Sequence, residues 1–182
     1  GKDILTVMPT GGGKSLCYQL PATLFDGLTL VVSPLIALMQ SQVAQLQLLG
    51  IKAYCLNSSN SDDENKAIIE MLKSNKIKLL YIAPERLIKN ETIDLLKTKK
   101  ISLLAIDEAH CVSQWGHDFR KEYLQLGEIR KELSMVQTIA LTATADETTR
   151  KDIIDKIFPK KPSVFIAGFD RPNIYLSMLP KN

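Results

Sequence analysis

The feature that most limits what this chain can fold into is a run of three glycines, Gly11-Gly12-Gly13, lying between a strand-like segment, Asp3–Met8, and a helical one that begins near Lys14. Consecutive glycines let the backbone enter conformations closed to other residues, so successive N–H groups can turn inward onto an anion. A helix N-terminus behind them adds its own free N–H groups and partial positive charge. Lys14 and Ser15 follow at once. The lysine is expected to reach the β- and γ-phosphates of a nucleotide and the serine hydroxyl to be a Mg²⁺ ligand. The segment Met8-Pro9-Thr10-Gly11-Gly12-Gly13-Lys14-Ser15 departs from the pattern G-x-x-x-x-G-K-[ST] only in carrying Met8 at the first glycine. A plain glycine-rich turn with an exposed lysine is the competing reading. The flanking strand and helix and the Lys-Ser pair argue for a nucleotide site.

The rest of the chain repeats the alternation. Short apolar segments, Leu28–Ser33, Ala53–Leu56, Ile77–Ile82, Ile101–Ile106 and Thr138–Leu141, are separated by helical stretches, which is the signature of βαβ units. Leu35, Leu38, Met39, Val43, Leu46 and Leu49 fall at three- and four-residue steps and predict an apolar stripe on one helix. Ser61 with Glu64 predicts a capping box at the start of another, ahead of Ala67, Ile68, Met71 and Leu72. The strands are nearly unbroken apolar runs, as expected where helices cover both faces of a parallel sheet. The fold class is therefore a three-layer α/β/α domain around a parallel sheet. With 182 residues, 45% of them hydrophobic and 24% charged, the chain has the material for one such domain and is not a disordered or collagen-like sequence. Ser163–Gly168 reads as a last strand, so the domain is expected over residues 1–168, with 169–182 as a connector leading elsewhere and both ends cut from a longer protein.

Three widely spaced cysteines, Cys17, Cys55 and Cys111, fit reduced thiols, and no apolar run approaches the ~20 residues needed to span a bilayer. A soluble intracellular protein without a membrane partner is expected, in the bacterial cytoplasm or the eukaryotic nucleus. The net charge of +3 says little about nucleic acid. A second chemical signal closes the run Ile101–Ile106: Asp107-Glu108-Ala109-His110. Open α/β sheets bind ligands beyond the carboxyl ends of their strands, where Asp107 is expected to hold Mg²⁺ and Glu108 to orient and deprotonate an attacking water. Solvated charges at a strand end are the bland alternative. His110, Cys111 and His117 match no four-ligand zinc spacing.

With these residues in hand, the sequence resembles the ATP-dependent DNA helicases of the RecQ family, in helicase superfamily 2, over nearly its whole length. Gly13-Lys14-Ser15-Leu16-Cys17-Tyr18-Gln19-Leu20-Pro21-Ala22 is similar to an extended motif I, and Val32-Ser33-Pro34-Leu35-Ile36-Ala37-Leu38-Met39 to motif Ia. Ala83-Pro84-Glu85-Arg86-Leu87 is similar to motif Ib, Asp107–His110 to the DEAH box, and Leu141-Thr142-Ala143-Thr144-Ala145 to motif III. The segment Cys111-Val112-Ser113-Gln114-Trp115-Gly116-His117-Asp118-Phe119-Arg120 resembles the aromatic-rich loop that separates this family from RNA helicases sharing the DEAH tetrapeptide.

The resemblance implies a RecA-like P-loop NTPase domain, the first motor domain of a helicase that couples Mg-ATP hydrolysis to movement on single-stranded DNA and 3′-to-5′ unwinding of partly duplex DNA. ATP and Mg²⁺ are the implied cofactors, and a second motor domain supplying an arginine is an implied partner. Gly11, Gly12, Gly13, Lys14 and Ser15 are assigned to the nucleotide, Ser15 and Asp107 to Mg²⁺, and Lys14, Asp107 and Glu108 to catalysis. Ser33, Pro34, Arg86, His110, Gln114, Trp115, Phe119, Arg120, Thr142 and Thr144 are assigned to DNA contact or coupling. There is a physical basis for the loop: Trp115 and Phe119 offer stacking faces to unpaired bases, and Arg120 can bind phosphate or stack. Lys121 stands where the family usually has proline, and no adenine-reading segment precedes motif I in this sequence. An RNA helicase or remodeller of the same superfamily, or a nucleic-acid-binding module with a vestigial ATP site, remain the competing functions.

Overall fold

The computed structural model describes residues 1–144 and 146–168, so Ala145 and the expected connector 169–182 lie outside the described residues. Seven short apolar segments pair in parallel: β1 (Ile4–Val7), β2 (Leu28–Val32), β3 (Ala53–Leu56), β4 (Leu79–Ile82), β5 (Ile101–Ile106), β6 (Thr138–Thr142) and β7 (Ser163–Ile166). Their order across the sheet is β3-β4-β2-β5-β6-β1-β7. The connecting helices are α1 (Leu16–Leu24), α2 (Ile36–Leu48), α3 (Asp62–Lys73), the single turn α4 (Pro84–Leu87), α5 (Asn90–Lys97), α6 (Leu126–Glu132) and α7 (Glu147–Ile157). The alternating direction of side chains along a strand divides the apolar residues into two cores. Leu30, Leu80, Leu104 and Ile106 face a cluster completed by Ile68 and Leu72 of α3, Leu96 of α5, Ile129 of α6 and Ile153 of α7. Val31, Tyr81, Ala105 and Leu141 face the other way, onto Tyr18 of α1 and Met39, Val43 and Leu46 of α2. These are the three expected layers, and both faces of the central strands are buried.

Local signals hold where backbone chemistry sets them. Ser61 Oγ accepts from the Glu64 N–H at 3.2 Å and Glu64 Oε2 accepts from the Ser61 N–H at 2.7 Å, which closes the capping box of α3. The apolar stripe of α2 is narrower than its spacing predicts. Met39, Val43 and Leu46 are buried, whereas Leu35 and Leu49 are the caps of the helix, outside its helical turns, and are exposed; Leu38 is exposed from within the helix, one residue before the buried Met39.

At the amino edge of the sheet Asp3 accepts from the Thr138 N–H at 3.0 Å and pairs with Arg130 at 2.5 Å. Arg130 also donates to the Val136 carbonyl at 3.1 Å and lies over the Phe158 ring. This ties the chain start to α6 and β6. At the opposite edge the strands release the segments singled out above: Met8–Ser15 after β1, Ser33-Pro34 after β2, Pro84–Arg86 in the turn after β4, Asp107-Glu108 after β5 and Thr142–Thr144 at the end of β6.

Candidate functional site

The glycine cradle is shaped as its composition requires. Gly11 and Gly13 both have φ +80°, a region costly for residues with a Cβ, and a Cβ on Gly12 would stand 2.9 Å from the Pro9 carbonyl oxygen. Lys14 lies folded across the loop, with Nζ 3.3 Å from the Met8 carbonyl and 3.4 Å from that of Pro9. Ser15 is the N-cap of α1 but makes no side-chain cap, so its hydroxyl is not committed to the helix.

The acidic pair is one strand removed from the cradle, since β6 lies between β5 and β1. The fields still overlap. Lys14 pulls down the carboxyl pKa of both Asp107 and Glu108, against larger effects that raise them. Asp107 is buried; desolvation, reinforced by the neighbouring Glu108 charge, pushes its carboxyl up to about 6. Among the described residues its one direct donor is the Glu108 N–H, at 3.0 Å from Oδ1. Glu108 has φ 49° and ψ 46°, a left-handed conformation in a residue with a full side chain, at a cost of roughly 1–2 kcal/mol. Strain of this kind collects at functional sites. A buried carboxylate short of donors, with an uncommitted serine hydroxyl across the cradle, is a hard-oxygen donor set suited to Mg²⁺.

His110 follows in a 3-10 helix, Ala109–Val112, and joins three segments. Its Nδ1 is 2.8 Å from Thr142 Oγ1 and 3.4 Å from Glu108 Oε2, and its Nε2 is 3.6 Å from Asp118 Oδ2. Burial holds its pKa below the usual histidine range. Thr142 is itself tied to the backbone of Thr144, so the end of β6 touches the acidic pair through one imidazole. Thr142 is buried and Thr144 exposed.

The loop that continues from His110 keeps its aromatic residues outside. Trp115 is 80% exposed and Phe119 38%, which excludes a core anchor for the tryptophan. Gln114 is exposed and Arg120 half-buried, its Nε 3.8 Å from Asp118 Oδ1. The base of the loop is fixed. Ser113 Oγ donates to Asp152 of α7 at 2.8 Å, the Trp115 N–H reaches Ser113 Oγ at 3.3 Å, and the Arg120 N–H donates to the Cys111 carbonyl at 2.9 Å. Ser33 is buried and its hydroxyl has no partner among the described residues, while Pro34 is half-buried. Arg86 is half-buried, 3.6 Å from Glu91.

Three contributors lie outside the residues assigned a role from the sequence. Tyr123, fully buried, donates its hydroxyl to the Asp107 carbonyl at 2.8 Å; Asp118 folds back onto His110 and Cys111; Asp152 holds the loop base from a distant helix. Each depends on a contact between separated segments, which spacing alone cannot disclose. A cavity of about 770 Å³ lies away from all of this, at the amino ends of the strands, lined by Lys52, Lys76, Lys78, Lys99 and Lys100 among others.

The family model described as DEAD/DEAH box helicase matches residues 1–153. The protein named ATP-dependent DNA helicase RecQ of Pasteurella multocida is 51% identical over 181 residues, covering 100% of this chain and 29% of its own length. ATP-dependent DNA helicase Q1 of Rattus norvegicus is 45% identical, over 99% of this chain and 30% of its own length. The chain thus spans under a third of these curated relatives. Among solved structures, the Pyrococcus furiosus Hef helicase domain superposes with a TM-score of 0.69 at 18% identity, over 94% of this chain and 36% of that one. Mycobacterium smegmatis helicase Lhr, bound to ssDNA and AMP-PNP, gives 0.68 at 21%, over 92% and 24%. At these identities the two structures share the fold. Family match, identity along the whole chain and common fold agree: the chain belongs to the DEAD/DEAH box helicase family, as a motor domain of the RecQ type.

Proposed function

We propose that this domain binds Mg-ATP at the carboxyl edge of the sheet, hydrolyses it, and couples that step to single-stranded DNA, so that the protein carrying it unwinds partly duplex DNA in the 3′-to-5′ direction inside the cell. The observation that carries the reading is continuity. Glu108, the strained residue, leads within three residues through His110 into a loop whose tryptophan is exposed. A base stacked on Trp115 is worth ~1–3 kcal/mol, enough to bias the loop and, through His110, the position of the Glu108 carboxylate.

The roles follow from the chemistry of each group. The N–H groups around Gly11–Gly13 and the α1 N-terminus bind phosphate oxygens, and Lys14 leaves the Met8 and Pro9 carbonyls to meet the terminal phosphates. Ser15 and Asp107 would hold Mg²⁺, which when bound neutralises charge on the phosphates. Glu108 accepts a proton from the attacking water, and its raised pKa makes it a better base than an ordinary carboxylate. Thr142 and Thr144 report the state of the site through His110, while Arg86, Pro34, Gln114, Phe119 and Arg120 extend the strand contact. The charge-stabilising arginine is supplied by a second motor domain, a contribution worth about 10³–10⁵ in rate where such fingers act. This domain alone therefore turns over slowly.

Titration with a fluorescent ADP analogue in Mg²⁺ tests the cradle. The wild-type chain should bind, and Lys14→Ala should lose most of that binding. Unchanged binding in Lys14→Ala would remove the cradle from the account.

A further inference from the structure

His110, Cys111 and Asp118 offer a nitrogen, a sulfur and an oxygen, all within 4.8 Å of one another. We propose that these three side chains form a binding site for a thiophilic divalent cation of the Zn²⁺ type, separate from the Mg²⁺ position, and that its occupation pins the Trp115 loop to the 3-10 helix behind the acidic pair.

Two of the three ligand separations are close to those around a bound ion, and the third lies within 4.8 Å. A tetrahedral Zn²⁺ with bonds of about 2.3 Å to sulfur and 2.0–2.1 Å to nitrogen and oxygen sets its ligand atoms about 3.3–3.6 Å apart. Here His110 Nε2 and Asp118 Oδ2 are 3.6 Å apart, as are Cys111 Sγ and Asp118 Oδ2. The imidazole is already oriented. With an ion on Nε2, the Nδ1–H is left to donate to Thr142 Oγ1 at 2.8 Å, and the Thr142 hydroxyl to the Thr144 carbonyl at 3.3 Å. A second shell of this kind fixes tautomer and ring direction in metal sites.

His110 and Cys111 are buried, while the Asp118 side chain is 40% exposed and gives the way in. Three protein ligands leave a fourth position for water. Thiolate and imidazole select Zn²⁺-like ions over Mg²⁺, which takes oxygen donors. Binding exchanges the Cys111 S–H bond for a sulfur–metal bond, and the proton passes to solvent. Asp118 would then be held by the ion rather than shared with Arg120, from which it now stands 3.8 Å away. Because Asp118 and Trp115 belong to one short loop, the ion would act as a brake on the element assigned above to DNA response. That consequence rests on the proposed coupling role, whereas the site itself does not.

The chain carries a single tryptophan, Trp115, so its fluorescence reports the loop directly. The test is a titration of the chain with Co²⁺ and then Zn²⁺, without nucleotide or DNA. The expected result is one Co²⁺ per chain with a sulfur-to-metal charge-transfer absorption, displacement by Zn²⁺ but not by millimolar Mg²⁺, and a change in Trp115 emission on binding. Cys111→Ser should abolish the charge-transfer band. Asp118→Asn, at a half-exposed position where folding is not at risk, should weaken binding by more than about tenfold. Absence of the band in the wild type, or binding that survives both substitutions, would overturn the site. Since neither ATP nor DNA is present, either result leaves the helicase reading to stand or fall on its own tests.

Discussion

Asp3 and Asp107 are carboxylates at opposite ends of the same sheet, and the protein treats them differently. Asp3, before β1, is matched on both oxygens: Oδ1 accepts from the Thr138 N–H and Oδ2 pairs with Arg130. Asp107, after β5, is buried more deeply with one direct donor among the described residues, the N–H of its strained neighbour, and its pKa is pushed up to about 6. A charge with partners belongs to the architecture. A buried charge without them is tolerated where a ligand is to supply what is missing.

That contrast can be broken at four positions. The largest effect is expected from Glu108→Gln, which removes the proposed base and should lower the hydrolysis rate of the full-length protein by ~10²–10⁴, with nucleotide binding retained in a fluorescent-analogue titration. Next is Asp3→Ala, which leaves Arg130, 2% exposed, without its carboxylate. A loss of ~3–5 kcal/mol in urea unfolding is expected. Asp107→Asn should act in the opposite direction on stability. A carboxyl whose pKa is higher in the folded than in the unfolded chain binds its proton more tightly when folded, so stability falls as pH rises from about 4 to about 6 and stays lowered above. Removing the charge should therefore stabilise the nucleotide-free chain at pH 7 by about 2–3 kcal/mol, flatten that part of the profile, and abolish Mg-dependent nucleotide binding. The smallest change in stability is expected from Trp115→Ala, within about 0.5 kcal/mol because the side chain is exposed, with the response to DNA lost.

Much of this molecule can be read from its residues, for local reasons. The glycine cradle, the capping box of α3 and the unbroken apolar strands follow from backbone conformation and short-range pattern, and each is found where the residues point. The strand order does not follow. Placing β6 between β5 and β1 is decided by long-range packing, and that insertion is what brings Thr142 to His110. Asp118 illustrates the same limit, since it lies eight positions after His110 in sequence while 3.6 Å separates their side chains in space. Four-ligand spacing does not disclose the cation site proposed above, because one of its ligands is a carboxylate brought in by a fold of the loop rather than by any repeat.

The most direct test of the central claim is steady-state Mg-ATP hydrolysis by the full-length protein with single-stranded DNA, single-stranded RNA or neither, in wild type and Trp115→Ala. Stimulation by DNA well above RNA, lost in Trp115→Ala, is the predicted result. Hydrolysis indifferent to both nucleic acids, or stimulation that survives the substitution, would contradict a carboxyl edge that links the acidic pair to DNA through this loop.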